Sequence, residues 1–362
     1  HDDDAIRDPL WSRGLGDVYK RQEKYGSEKI KYIFSELLDR SEIMTRDAIK
    51  GLPNGMFSHV DYLDNDGVDL DVAIKINVSV KIDDDEIYLD FTGTNKQVKG
   101  PFNLMPSGAY AAAYFAVHAM IDADVPINGG CFRPISLKLP ERSIVNPEEP
   151  AAVNARTSTM KRVAGCITSA LGKADPPRAV ADAAGELLLL AFGGEREDGS
   201  RYVVGELVAS GSGASEGMDG VDVIETDGTN CMNLPIEALE LDVPIRINKT
   251  ELRKGSGGAG KFRGGLGIIR EYEVLKGEVI FTHRGERHAY AAQGISSGGA
   301  GALAQSVIYR LDGTIEVINS KIIQKLQPGD RVVVETAGGG GYGDIKERSQ
   351  QSVIADRVNR KS

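Results

Sequence analysis

Val72-Ala-Ile-Lys-Ile-Asn-Val-Ser-Val-Lys-Ile-Asp-Asp-Asp-Glu-Ile-Tyr-Leu-Asp-Phe91 is the stretch on which the fold reading turns. Val72, Ile74, Ile76, Val78, Val80 and Ile82 alternate strictly with polar neighbours, and Ile87, Leu89 and Phe91 resume the alternation after Asp83 to Glu86. A period of two places every apolar side chain on one face of a strand. The acidic run between the two alternating segments turns the chain, so a long β-hairpin with one buried face is expected.

The pattern changes on either side of the hairpin. Upstream, Ser27 reads as the cap of a helix in which Ile30, Ile33, Phe34, Leu37, Leu38, Met44 and Ala48 recur at three- and four-residue spacing, and Gly51 ends it. Downstream, Ala109–Ile121 and Thr157–Leu171 read as further helices. Beyond Ala183 glycine loops become dense, at Gly211–Gly217, Gly255–Gly267, Gly294–Gly301 and Gly338–Gly343. Between them Arg201–Ser210, Val243–Asn248, Gly267–Val274, Glu278–His283, Ala304–Leu311 and Arg331–Glu335 read as strands. The expected class is α+β, mixed and β-rich, with glycine-rich loops and a few packed helices.

A chain of 362 residues exceeds what one core usually serves. Two intimately packed regions are expected, 23–182 with the helices and hairpin, and 183–362 with the glycine-punctuated strands. His1–Gln22 holds the only Trp and has no apolar period. It reads as non-native read-through or a disordered end, which implies that a native amino-terminal portion is missing. The formal net charge of −10 opposes nucleic-acid binding. No apolar run reaches the ~20 residues of a membrane span. Three cysteines, Cys131, Cys166 and Cys231, are odd in number and widely spaced. That suits a reducing compartment, so a cytoplasmic location is expected.

Several local motifs fail on context. Gly255-Ser-Gly-Gly-Ala-Gly-Lys261 fits the opening of a phosphate-binding loop, but Phe262 stands where Ser or Thr would hold magnesium, and Arg263-Gly264-Gly265 opposes the helix such a loop must open. Gly213-Ala-Ser-Glu-Gly217 matches a nucleophile elbow, yet Met218-Asp-Gly-Val-Asp222 offers a turn where a helix is required. Asp64-Asn-Asp-Gly67 resembles a calcium loop only in a register that puts Tyr62 first and Ala73 twelfth, so a hairpin turn is expected. Among the histidines only His283 and His288 are neighbours, in His283-Arg-Gly-Glu-Arg-His288 at a strand end leading into a glycine loop. Arg with His there suits an anionic or phosphorylated intermediate. The alternative is a solvated, salt-bridged turn.

Taken together, a series of landmarks resembles the hydantoinase B family. They are Asp90-Phe-Thr-Gly-Thr94, Gly100-Pro-Phe-Asn103, Asn128-Gly-Gly-Cys-Phe-Arg-Pro-Ile135, Met218-Asp-Gly-Val-Asp222, Thr229-Asn-Cys-Met-Asn-Leu-Pro-Ile-Glu237, the glycine run 255–267 and Gly338-Gly-Gly-Gly-Tyr-Gly-Asp344. They follow in the order that family shows, from about Tyr25 to the end.

The resemblance implies the B-type subunit of an ATP-dependent cyclic-amide hydrolase, of the N-methylhydantoinase, 5-oxoprolinase and caprolactamase kind. In that scheme a hydantoinase A-type partner binds ATP and phosphorylates the substrate oxygen, and the B-type chain completes hydrolysis within a hetero-oligomer. Two alternatives stand beside it: a subunit of an ATP-dependent acetone or acetophenone carboxylase, and a non-catalytic scaffold that docks the partner. A divalent metal is implied through an amino-terminal portion that precedes this sequence, so no metal ligand is assigned here. On this chain Asn230, Asn233, Arg284, Arg287 and His288 are the candidate catalytic residues, the asparagines as oxyanion donors and the others as holders of a carboxylate or phosphate. Asp90, Thr92, Thr94 and Asn103 are candidate substrate-binding residues, with plain turn chemistry as the alternative. One departure is that Val223–Gly228 carries Glu225 and Asp227 where relatives often have histidine.

Overall fold

The computed structural model describes residues 13–121, 124–196 and 198–361. Helices α1 (Arg13–Tyr25) and α2 (Ser27–Lys50) open it, followed by β1 (Gly55–Leu63), β2 (Ile74–Asp83), β3 (Glu86–Asp90), α3 (Pro106–Ile121), β4 (Ile135–Lys138) and α4 (Arg156–Ala174). Next come β5 (Leu188–Glu195), β6 (Arg201–Val208), α5 (Ile236–Asp242), β7 (Ile245–Leu252), β8 (Ile268–Val274) and β9 (Val279–Arg284). The chain closes with β10 (Gln305–Tyr309), β11 (Ile315–Val317), β12 (Lys321–Leu326), β13 (Arg331–Glu335) and α6 (Gln350–Val358). Residues 1–12 lie outside the described residues, whereas Arg13–Gln22, set aside in the sequence, is helical.

The hairpin forms as its alternation requires. Ile74, Ile76, Val78, Val80 and Ile82 are all buried, and Ile82 faces Ile87 across the turn. It becomes the centre of a four-stranded sheet, β1-β2-β3-β4, antiparallel except for the β3–β4 pair. Helices α3 and α4 join its buried face in one core with Ala113, Val117, Val163 and Ile167. Strand β1 was not anticipated, because Met56 and Val60 face outward and its inward face is only half covered.

Helix α2 departs from the sequence reading in two ways. Gly26, not Ser27, occupies the cap position, and no side chain caps the first turn. Ile33, Phe34 and Leu37, three of the apolar positions at helical spacing, are exposed, and among the helix's large apolar residues only Ile30 and Ile49 are buried.

The second region is a sandwich in which two antiparallel sheets face one another, β11-β10-β13-β8-β7 and β12-β9-β5-β6. Phe192, Tyr272, Phe281, Val332 and Val334 pack between them. One ion pair lies inside this sandwich: Arg270 sits 2.8 Å from Glu206, which also accepts the Tyr272 hydroxyl at 2.6 Å. The glycine loops close the end of the sandwich by packing backbone on backbone. Gly339 N donates to Gly265 O at 3.0 Å and Gly258 N to Gly339 O at 2.8 Å. A Cβ at Gly264 would overlap the Gly339 carbonyl, and one at Gly213 the Ala181 carbonyl. These glycines serve close approach, not left-handed dihedrals.

Candidate functional site

The two regions meet where β1 ends. Asp61, on β1, receives Arg162 of α4 at 2.8 Å and Arg287, from the loop after β9, at 3.1 Å. Burial pushes the Asp61 carboxyl up, but the two guanidiniums outweigh it and hold it below the ordinary value. Three residues on, Asp64 accepts the backbone N–H of His288 at 2.9 Å and of Ala289 at 3.1 Å, while its own N–H donates to Glu286 at 2.9 Å. The Asp64–Gly67 segment opens the connection between the paired strands β1 and β2, as a hairpin requires, yet Asp64, Asn65 and Asp66 are buried and Asp64 grips the opposite region. Glu286 completes the seam by pairing with Lys321 at 2.9 Å, both side chains enclosed.

Gly285 shows why the loop needs a glycine. A Cβ there would lie 2.9 Å from the His283 ring, 3.0 Å from Glu186 and 3.1 Å from the His288 ring. Three titratable side chains thus converge on one backbone position. His283 Nδ1 lies 2.9 Å from the Ser320 carbonyl, so it carries the proton, and Nε2 accepts from the Ser306 hydroxyl at 2.9 Å. Burial lowers the His283 pKa to about 3. Glu186 is fully enclosed with only weak donors at 3.3 Å, from Ala337 N, Glu286 N and the Ser210 hydroxyl. Burial raises its pKa to about 7.

His288 differs from its neighbour. Its Nδ1 lies 3.1 Å from the Glu286 carbonyl and must donate, which leaves a lone pair on Nε2. That nitrogen has no protein partner. Burial holds the ring below its ordinary pKa, against the pull of Asp64. The residue lines a cavity of about 560 Å³ at the seam, whose wall also includes Asp64, Ser306, Ser320, Leu303 and Ile318.

The other candidate residues separate. Arg287 cannot hold a ligand in this arrangement: its guanidinium is consumed by Asp61 and by the carbonyls of Ala183, Ala184, Tyr290 and Ala291. Arg284 lies on the outward face of β9, opposite in direction to His283, and its Nε is unpartnered. Asn230 and Asn233 sit exposed on the loop before α5. Asn103 is wholly buried, accepting from Val98 N and donating to the carbonyls of Val98, Gly100 and Ala152, so it is not free for substrate. Asp90, Thr92 and Thr94 hold the turn after the hairpin, with Asp90 accepting from Thr92 N at 2.7 Å and Thr94 bridging Asn77. Glu225 pairs with Lys161 at 2.7 Å, both buried.

Sequence reasoning missed Asp61, Asp64, Arg162 and Glu186. The only signal available was an acidic pair, Asp61 and Asp64, at the end of an apolar stretch.

Acetone carboxylase in its nucleotide-free structure shares this architecture, with a TM-score of 0.81 at 18% identity over 94% of this chain and 52% of that one, which defines the fold class. The chain belongs to the Hydantoinase B/oxoprolinase family, whose model matches residues 13–345. It is 34% identical over 350 residues to the B component of a putative D-/L-hydantoinase from Pseudomonas sp. (strain NS671), covering 93% of this chain and 58% of that protein. The crystal structure of ATP-dependent caprolactamase from Pseudomonas jessenii matches with a TM-score of 0.83 at 27% identity, over 97% of this chain and 62% of that one. The chain thus spans about three fifths of the length of these relatives. No helix among the described residues is long and apolar enough to cross a membrane.

Proposed function

We propose that this chain is the B-type component of an ATP-dependent cyclic-amide hydrolase located in the cytoplasm, and that it completes hydrolysis of a substrate phosphorylated by an A-type partner. The match to caprolactamase along nearly the whole chain carries this reading. Phosphorylation of a lactam oxygen makes the attached carbon electrophilic enough for water to add, after which the ring C–N bond breaks with the nitrogen taking a proton, and a second water releases phosphate from the resulting acyl phosphate.

The described residues do not fit nucleotide or metal. The glycine run 255–267 is locked against the backbones of Gly339 and Gly299 and opens no helix. Among the described residues no three His, Cys, Asp or Glu side chains are grouped as a metal site requires. No step is therefore derived through either group. What the chain offers is a neutral His288 with a free lone pair, able to take a proton at Nε2, beside a carboxyl, Glu186, that titrates near neutrality. The seam of ion pairs would keep that loop in register.

A chimera tests the reading: residues 13–345 replace the matching region of the caprolactamase β chain, and ATP-dependent ring opening is measured with caprolactam, hydantoin and 5-oxoproline. Turnover of any of them is expected. If the chimera assembles with its partner yet consumes only bicarbonate and a ketone, the carboxylase reading replaces it. If it assembles and turns over nothing, the scaffold reading does.

A further inference from the structure

The cavity beside His288 presents hydrogen-bond acceptors, and their direction is fixed by contacts inside this chain. His288 Nδ1 must donate to the Glu286 carbonyl at 3.1 Å, so Nε2 keeps a bare lone pair and has no protein partner. Ser306 shares the wall, and its proton is committed. His283 Nδ1 donates to the Ser320 carbonyl, so His283 Nε2 can only accept, and the Ser306 hydroxyl at 2.9 Å is its donor. The Ser306 oxygen is left with lone pairs alone. Asp64, in the same wall, accepts one backbone N–H on each carboxylate oxygen, from Ala289 and from His288, and retains further acceptor capacity.

The donors in the wall do not reverse this pattern. Arg253 is held by Glu335 at 2.9 Å and by the Thr336 carbonyl at 3.1 Å. Lys321, near His288, is matched by Glu286 at 2.9 Å. The Asn65 amide donates to the Ser320 hydroxyl at 3.1 Å. Gln305 and Asn319 offer neutral amides, and both are exposed. Leu70, Leu303 and Ile318 give the rest of the lining an apolar character.

We infer that this cavity holds an alkylammonium group, the nitrogen end of a ring-opened lactam, with His288 Nε2 and the Ser306 oxygen accepting its N–H groups and Asp64 offsetting its charge. An ammonium carries three donors and no acceptor, the complement of what the wall offers. A carboxylate or phosphate would set acceptors against acceptors and leave both unpaired, which is costly in an enclosed site. The expectation that His288 holds an anion is thereby reversed. The identity of the ligand rests on the hydrolase reading; the preference of the cavity does not. In that reaction the ring C–N bond breaks with its electron pair on nitrogen. The nitrogen then takes the proton that His288 removed from the attacking water, and a second from solvent, so the ammonium forms beside Nε2.

Titrating the full chain with n-butylammonium, butyrate and inorganic phosphate, read by proton–nitrogen correlation spectra of the histidine rings, tests this. The His288 Nε2 signal, assigned by its loss in His288→Asn, should move on adding n-butylammonium. That probe should bind about tenfold or more tightly than either anion, the worth of one hydrogen bond to a charged group. His288→Asn and Ser306→Ala should each weaken it severalfold. The inference is overturned if butyrate or phosphate binds as tightly, or if n-butylammonium leaves Nε2 unmoved. Should His288→Asn fold poorly, His288→Gln serves for the assignment, and the unaltered chain then decides the outcome by itself. The hydrolase reading fails separately: an inactive chimera with ammonium binding intact sinks that reading alone, whereas an active chimera whose B-type chain prefers anions sinks only the ammonium site.

Discussion

Asp61 and Arg287 stand 226 residues apart in sequence and form an enclosed ion pair at 3.1 Å across the seam of the molecule. Arg162 shares the same carboxylate, so one acid neutralises two guanidiniums.

Asp61→Asn should therefore be costly. It strands two buried cations, and breaking such a pair costs about 3–5 kcal/mol. Thermal unfolding should show a large fall in Tm. The folded carboxyl titrates below its unfolded value, so its contribution is complete above the unfolded pKa and fades as pH falls through the folded one. The asparagine variant should lose that acid-side slope; an unchanged slope would show that Asp61 is not the clamp.

Glu186 has the opposite sign. Its folded pKa, about 7, lies above the ordinary 4.5, so the unfolded state ionises first and stability declines as pH rises between those values. The difference corresponds to roughly 3 kcal/mol at most. Glu186→Gln should remove this decline and be more stable than the parent at pH 8, as read by denaturant titration at several pH values. A parent whose stability does not fall over that range would refute the assignment.

His288→Asn should separate function from folding. Its amide can replace the Nδ1 donor to the Glu286 carbonyl and Nε2 has no partner to lose, so the change in Tm should be small, while ATP-coupled ring opening by the assembled chimera should fall ~100-fold or more if the ring transfers a proton. Equal effects on both readouts would make His288 structural. Arg287→Ala, by contrast, should lower Tm first, because the side chain is spent on protein acceptors.

Gly264→Ala should destabilise the glycine-packed end by about 1–3 kcal/mol or more, since the new methyl meets backbone of Gly339 and Gly340 that cannot rotate away. Gly205→Ala meets only ordinary contact, with the Leu190 carbonyl at 3.8 Å, and should instead be neutral or gain up to ~1 kcal/mol. Denaturant midpoints of the two variants check the contrast.

The hairpin was legible because burial on one face writes itself into residues two apart. The strands of the sandwich were legible for the same reason, though their partners were not: β5 and β12 escaped notice, and nothing local pairs β5 with β9. Asn103 and Arg287 were recognisable as landmarks, but whether they face a ligand or a carbonyl is not encoded in their neighbours. Helix α2 carried the clearest amphipathic period, yet Ile33, Phe34 and Leu37 of its stripe are exposed.

From its sequence alone this chain declares its family, its α+β class, its helices and hairpin, and the glycine landmarks, because period and order are properties of adjacent residues. Only the tertiary structure decides that Asp61, Asp64, Arg162, Glu186 and the 283–288 loop form one buried site. Charge partners are chosen by where distant segments cross, and at such a crossing a buried charge must be met by whatever side chain the opposite segment presents.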